Sequence, residues 1–150
     1  KRQAEVELLP MAAAEGLGVF PYNPMGGGLL TGKYAAAKKP TKGRLVDSKM
    51  YGTRYHGEGI EKTVQDFIEL AKRYGHHPAA LAVAWVAGHP AVTAPIIGAR
   101  TLEQLEGGLG AVEIDMTDGL WSEIAALSPE PPPATDRNEE RSATNFGVRK

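Results

Sequence analysis

Residues 17–33 run Leu17-Gly18-Val19-Phe20-Pro21-Tyr22-Asn23-Pro24-Met25-Gly26-Gly27-Gly28-Leu29-Leu30-Thr31-Gly32-Lys33, an apolar segment followed at once by a glycine-rich turn and a lysine. Leu17 to Tyr22 is short, apolar and β-prone, as expected of a buried strand. Pro24 and the glycines end it. Without side chains, the glycines let backbone N–H groups approach a phosphate closely, and Lys33 adds a cation. Gly27 through Lys33 even has the G-x-x-x-x-G-K spacing of a nucleoside-triphosphate loop. Tyr34 argues against that reading, because the motif needs Ser or Thr there to ligand magnesium and a long helix should start at once. A glycine-rich turn with no ligand is the plain alternative.

Outward from this stretch, helices alternate with apolar runs. Residues 5–15 are rich in helix formers and close on Gly16, suited to a left-handed cap. Pro10 fits only in the first turn, so the regular part is predicted from Leu9 to Glu15. Residues 24–59 show no sustained period; a loop of that length in a compact domain is functional or disordered, and here the start reads as ordered and the middle does not. Ile60, Val64, Phe67, Ile68 and Ala71 then recur at helical spacing, with Gly75 as the stop after Tyr74. Pro78 opens a helix running through Ala79 to Ala87, apolar on nearly every side. Residues 91–97 read as a second strand, of the parallel kind covered on both faces, although it contains Pro95. Thr101 caps the next helix, with Gln104 placed to return the bond, and Thr117 to Leu127 repeats the pattern. Pro129, Pro131, Pro132 and Pro133 end regular structure, and the charged remainder reads as a tail. The chain thus divides into one folded unit, 1–128, and a disordered tail, 129–150.

Alternation of this kind predicts an α/β fold with a parallel sheet or barrel. Two strands cannot make either, so partner strands are expected from a missing segment, from another chain, or within the stretch read as loop. The absence of an initial methionine fits a chain whose beginning has been cut away.

Composition removes several function classes. The 150 residues include 17 Lys plus Arg against 18 Asp plus Glu, so no global field draws the chain to nucleic acid or a membrane. No apolar stretch is long enough for a signal peptide or a membrane helix. Cysteine is absent, which excludes disulfides and thiolate metal sites, and cytoplasm is the default compartment. His56, His76 and His77 lack the spacing of a metal site, so no metal is expected. The basic run Lys33, Lys38, Lys39, Lys42, Arg44, Lys49 and Arg54, interleaved with tyrosines, fits a loop closing over cofactor phosphates. A nucleic-acid loop or a solvated linker would carry similar charges.

A second signal lies in Pro95-Ile96-Ile97-Gly98-Ala99-Arg100-Thr101-Leu102-Glu103-Gln104-Leu105-Glu106. Here a strand end and a glycine lead into a capped helix, whose free N–H groups beside Arg100 form a ready anion site. The alternative is a solvated arginine next to an ordinary cap.

Together the two stretches resemble the aldo-keto reductase family, in the branch of potassium-channel β-subunits and bacterial reductases. That family carries Y-S-P-L-x-x-G-L-L-T-G-K after the seventh barrel strand and P-x-x-G-A-x-x-x-E-Q-L-x-E-N after the eighth. Tyr22, Pro24, Gly28 to Lys33, Gly98, Ala99, Glu103, Gln104 and Leu105 stand at matching places, and the likeness runs from about Arg2 to Leu127. The resemblance implies the carboxy-terminal part of a TIM-type (α/β)₈ barrel, incomplete in this chain, from an enzyme that reduces a small aldehyde or ketone with NADPH. Carried over by position, Tyr22 would stack on the nicotinamide, Asn23, Pro24, Met25, Gly26 and Gly28 would follow the pyrophosphate, and Lys33 would meet phosphate. Gly98, Arg100 and Gln104 would surround the adenosine ribose and its phosphate.

The chain departs from the family in two ways. Gly107-Gly108 stands where the family has Glu-Asn for the adenine, which removes side-chain hydrogen bonds and weakens the helix. The family's Asp, Tyr, Lys and His tetrad belongs to the first half of the barrel, and no motif for it appears here. Carbonyl reduction needs a proton donor, so the expectation is a cofactor-gripping portion without catalytic residues, inactive alone. It would work with the missing amino-terminal half or in a homo-oligomer. The competing reading is a non-catalytic module that associates with a partner through surface a complete barrel would bury.

Overall fold

A computed structural model describes residues 2–34, 40–55, 57 and 59–132. Helix α1 (Leu8–Ala14) places Pro10 in its first turn, where no amide is needed. Its end is a Schellman motif: Gly16 adopts φ 64°, Leu17 N donates to Ala12 O at 2.8 Å, and Gly16 N donates to Ala13 O at 3.3 Å. The same device closes α4 (Ile60–Arg73), where Gly75 has φ 71° and His76 N donates to Ala71 O at 2.9 Å.

The stretch read as an unbroken loop holds regular structure. A 3₁₀ turn covers Gly26–Thr31, and two short helices follow, α2 (Arg44–Asp47) and α3 (Lys49–Arg54). They escaped the sequence because each has fewer than two turns, too few for an apolar period to show. Residues 35–39, the middle of that stretch, lie outside the described residues, as does His56.

The core forms where α4 and α5 (Pro78–Ala87) meet α7 (Asp118–Ala125). Phe67, Leu70 and Ala71 of α4, Leu81 and Ala82 of α5, and Leu120 and Ile124 of α7 are buried together. Val64 and Phe67 point inward as the spacing predicts, and α5 buries every residue from Ala79 to Ala84. Trp85 and Trp121 stack at 5.6 Å between ring centres, and each indole N–H donates to the other's backbone carbonyl, at 3.2 and 3.1 Å. Helix α6 (Leu102–Leu109) packs beside α5.

The two predicted strands run side by side, but their ladder is short. Val19 O accepts from Thr93 N at 2.9 Å, Pro21 O accepts from Ile96 N at 2.8 Å, and Tyr22 pairs with Ile96 in a parallel bridge. Among the described residues this bridge stands alone, and no continuous strand forms. Pro21 removes a ladder donor, and Val19 N donates to the Thr93 hydroxyl instead of a carbonyl, at 2.9 Å. The parallel pairing expected of an α/β fold is present as one bridge, without a sheet among the described residues. Residues 129–132 are irregular, and most of the expected tail, 133–150, lies outside the described residues.

Candidate functional site

The bridge between Tyr22 and Ile96 fixes the relation of the two candidate segments. In a parallel pair both chains leave at the same end, so the turn after Tyr22 and the turn after Ile97 emerge side by side. The first contains Asn23, Pro24, Met25, Gly26, Gly28 and Lys33, and the second Gly98, Arg100 and Gln104. Tyr22, at the head of the first, is 70% exposed, its ring open to a ligand.

The glycine turn has a left-handed backbone at Gly26 (φ 59°), Gly27 (φ 71°) and Gly28 (φ 91°), values that residues with a Cβ rarely adopt. Its amides are largely engaged within the turn. Gly26 N donates to Asn23 O at 3.0 Å, Gly28 N to Met25 O at 3.1 Å, and Gly27 N to Asn23 Oδ1 at 2.7 Å. What the turn presents outward is cationic. A Cβ built on Gly28 would lie 3.0 Å from both Cε and Nζ of Lys33, so the lysine folds back over the glycine. Its ammonium also sits 4.8 Å from the centre of the Tyr34 ring. No α-helix begins at Lys33, as a nucleoside-triphosphate loop would require; Gly32 (φ 83°) and Tyr34 continue a turn.

At the second segment, Thr101 Oγ1 accepts from Gln104 N at 3.3 Å, the predicted cap. Gln104 Oε1 returns the bond one residue earlier than a capping box does, accepting from Arg100 N at 3.1 Å. Among the described residues no side chain caps the amides of Leu102 and Glu103, which remain for an anion at the helix start. Arg100, Thr101 and Gln104 are exposed. Gly107 and Gly108 lie in α6: a Cβ at Gly107 would meet the His77 imidazole at 3.3 Å, whereas one at Gly108 would find Ile97 Cδ1 at an ordinary 3.7 Å.

Three contributors escaped the sequence reading in the roles they take. Asn23 holds the turn through Gly27, which an asparagine preceding a Pro-x-Gly-Gly run does signal, since asparagine side chains bond to backbone a few residues ahead. Tyr51 and Arg44 reach the same place from α3 and α2: a Cβ on Gly27 would lie 3.1 Å from the Tyr51 ring and 3.8 Å from Arg44 Cδ. The charge of this tyrosine-bearing run suggested a loop closing over phosphates, but nothing in it singled out Tyr51 and Arg44 as neighbours of Gly27.

Comparison with known proteins bears on this arrangement. The sequence profile of the "Aldo/keto reductase family" matches residues 1–129. Relatives include "Protein tas" of Escherichia coli, 33% identical over 126 residues, covering 84% of this chain and 36% of that protein. An "Uncharacterized oxidoreductase YrpG" of Bacillus subtilis is 39% identical over 131 residues, covering 87% of this chain and 38% of that protein. A "Probable voltage-gated potassium channel subunit beta" of Arabidopsis thaliana is 30% identical over 116 residues, covering 76% and 35% respectively. The chain therefore spans little more than a third of the length of these relatives.

Proposed function

The chain belongs to the aldo/keto reductase family, and from that premise we propose that it is the NADP(H)-gripping, carboxy-terminal portion of a barrel reductase. The complete enzyme would transfer hydride between NADPH and a small aldehyde or ketone. The barrel is the fold that membership implies; that this chain forms only its last part is our reading, supported by the order of its two motifs. In this assignment Tyr22 faces the nicotinamide, Asn23 to Gly28 follow the pyrophosphate, and Lys33 neutralises phosphate charge. Gly98, Arg100 and Gln104 hold the adenosine ribose and its phosphate.

One observation supports the proposal: the parallel bridge Tyr22–Ile96, from which the chain leaves toward the glycine turn and toward the α6 start in the same direction. A dinucleotide carries its phosphates within one extended molecule, so two anion sites at one end suit it better than two isolated phosphates. The chain offers no group we assign as proton donor to a carbonyl, so it supplies grip rather than chemistry. Fluorescence titration with NADPH tests the grip. Saturable binding, weakened as salt rises, is expected, because the contacts are largely ionic. No binding at millimolar cofactor, or carbonyl reduction by the isolated chain, would overturn the assignment.

A second reading, a module that docks on a partner chain, is favoured by exposed apolar side chains at the strand pair. Leu17 is 55%, Phe20 58% and Ile96 55% exposed. Light scattering separates the two readings: a clean monomer argues against docking, and concentration-dependent association supports it. No described helix is long and apolar enough to cross a membrane.

A further inference from the structure

Asn23 has φ 62°, the left-handed region that asparagine tolerates better than most side chains because its short amide bonds locally. Both ends of that amide are used. Oδ1 accepts from Gly27 N at 2.7 Å, and Nδ2 donates to Tyr55 Oη at 2.9 Å. Tyr55 follows the last residue of α3, and its ring stacks on Tyr51 with centres 6.2 Å apart and planes 27° apart. The two rings lie against consecutive glycines. A Cβ on Gly26 would be 3.6 Å from Tyr55, and one on Gly27 would be 3.1 Å from Tyr51. Tyr51 in turn lies under two cations, with the guanidinium carbons of Arg44 and Arg54 at 5.4 and 5.7 Å from its ring centre. Residues 32 apart in sequence thereby clamp one turn.

We propose that Asn23, Tyr51 and Tyr55 form a latch: positioning residues that hold the Gly26–Gly28 turn in its left-handed form and dock the 43–55 segment, with Arg44, against it. Three successive glycines have more conformational freedom than any other tripeptide, so an unclamped turn would have to be ordered by whatever binds to it. The latch does that ordering beforehand, and its loss shows mainly as faster ligand release. The ligand in this inference rests on the nucleotide reading above; the latch itself does not.

The test is Tyr55→Phe, which keeps the ring stack and removes only the hydroxyl. Without nucleotide, amide hydrogen exchange at Gly26–Gly28 should quicken roughly three- to tenfold, the range for one lost hydrogen bond, while the thermal midpoint falls by no more than a few degrees. NADPH release, followed by stopped-flow fluorescence, should quicken by a similar factor. Asn23→Asp supplies the rescue arm. Its carboxylate can accept from both Gly27 N and Tyr55 Oη, so slow glycine exchange should persist even as the added negative charge weakens NADPH binding. Unchanged glycine exchange in Tyr55→Phe, or exchange in Asn23→Asp as fast as in Asn23→Ala, overturns the latch. Wild-type protein that fails to bind NADPH would sink the nucleotide reading alone, because the exchange comparison needs no ligand.

Discussion

Gly28 and Lys33 act as a pair, since the lysine can fold over the turn only where no side chain stands in its way. Gly28→Ala would place a methyl 3.0 Å from Lys33 Cε and Nζ on a backbone at φ 91°. The flexible lysine can move aside, but the backbone strain stays, at roughly 1–2 kcal/mol for an L-residue in this region. We expect a lowered thermal midpoint together with weaker NADPH binding, whereas Lys33→Ala should weaken binding with little loss of stability. Equal melting of the wild type and Gly28→Ala would show that the left-handed turn is not required. At this scale the sequence is readable where chemistry is contiguous: the glycines, Lys33 and Thr101 were all legible from residue type and spacing. Tyr51, Tyr55 and Arg44 were not legible as parts of the turn, because 24, 28 and 17 residues separate them from Gly27 and no local pattern encodes the approach.

Helices α1, α4, α5, α6 and α7 were legible because each carries its own start or stop signal. Pro10 and Pro78 sit in first turns, Thr101 and Thr117 cap, and Gly16 and Gly75 terminate. Thr117 Oγ1 accepts from Leu120 N at 3.2 Å, as its position before an apolar run predicts. Such signals act within a few residues and need no tertiary partner. In α6 the two adjacent glycines separate local propensity from packing. Gly108→Ala should stabilise by about 0.5–1 kcal/mol, since its methyl meets only Ile97 at van der Waals distance. Gly107→Ala should gain less, because its methyl presses on the His77 imidazole, whose Nδ1 caps α5 by accepting from Ala79 N at 3.2 Å. Urea denaturation of the two variants checks the difference, and equal gains would mean that His77 yields freely. Helices α2 and α3 lack such signals and lie where the sequence showed only a loop; α2 packs against the glycine turn and α3 against α2.

Across the whole molecule, α4 is tied to α7 at the surface as well as in the core. Tyr74 Oη donates to Glu123 Oε2 at 2.7 Å, and Arg73 pairs with the same carboxylate. The Tyr74 hydroxyl, with Arg73 beside it, holds the Glu123 carboxyl below its ordinary value of 4.5. A carboxylate whose folded pKa is depressed contributes its stability above the unfolded pKa, and loses it as pH falls through the folded one. We therefore expect stability to decline as pH drops below about 4.5, with a smaller decline in Glu123→Gln; the pair is exposed, so the difference is modest. Thermal melts across the acid range test this, and identical acid profiles would remove the tie.

The helices with their caps, the two apolar segments, the glycine-lysine turn and the family to which they point could all be read from the chain's residues alone. Each of these is written in contiguous residues, where steric preference and hydrogen bonding act over a few positions. The parallel pairing of the apolar segments at Tyr22 and Ile96, the end of their ladder at that bridge, and the approach of Tyr51 in α3 and of Tyr55 just after it to the glycine turn were settled by tertiary structure alone. Those outcomes depend on which surfaces meet once the chain has closed on itself, and the free energy of such meetings belongs to pairs of segments that no local pattern joins.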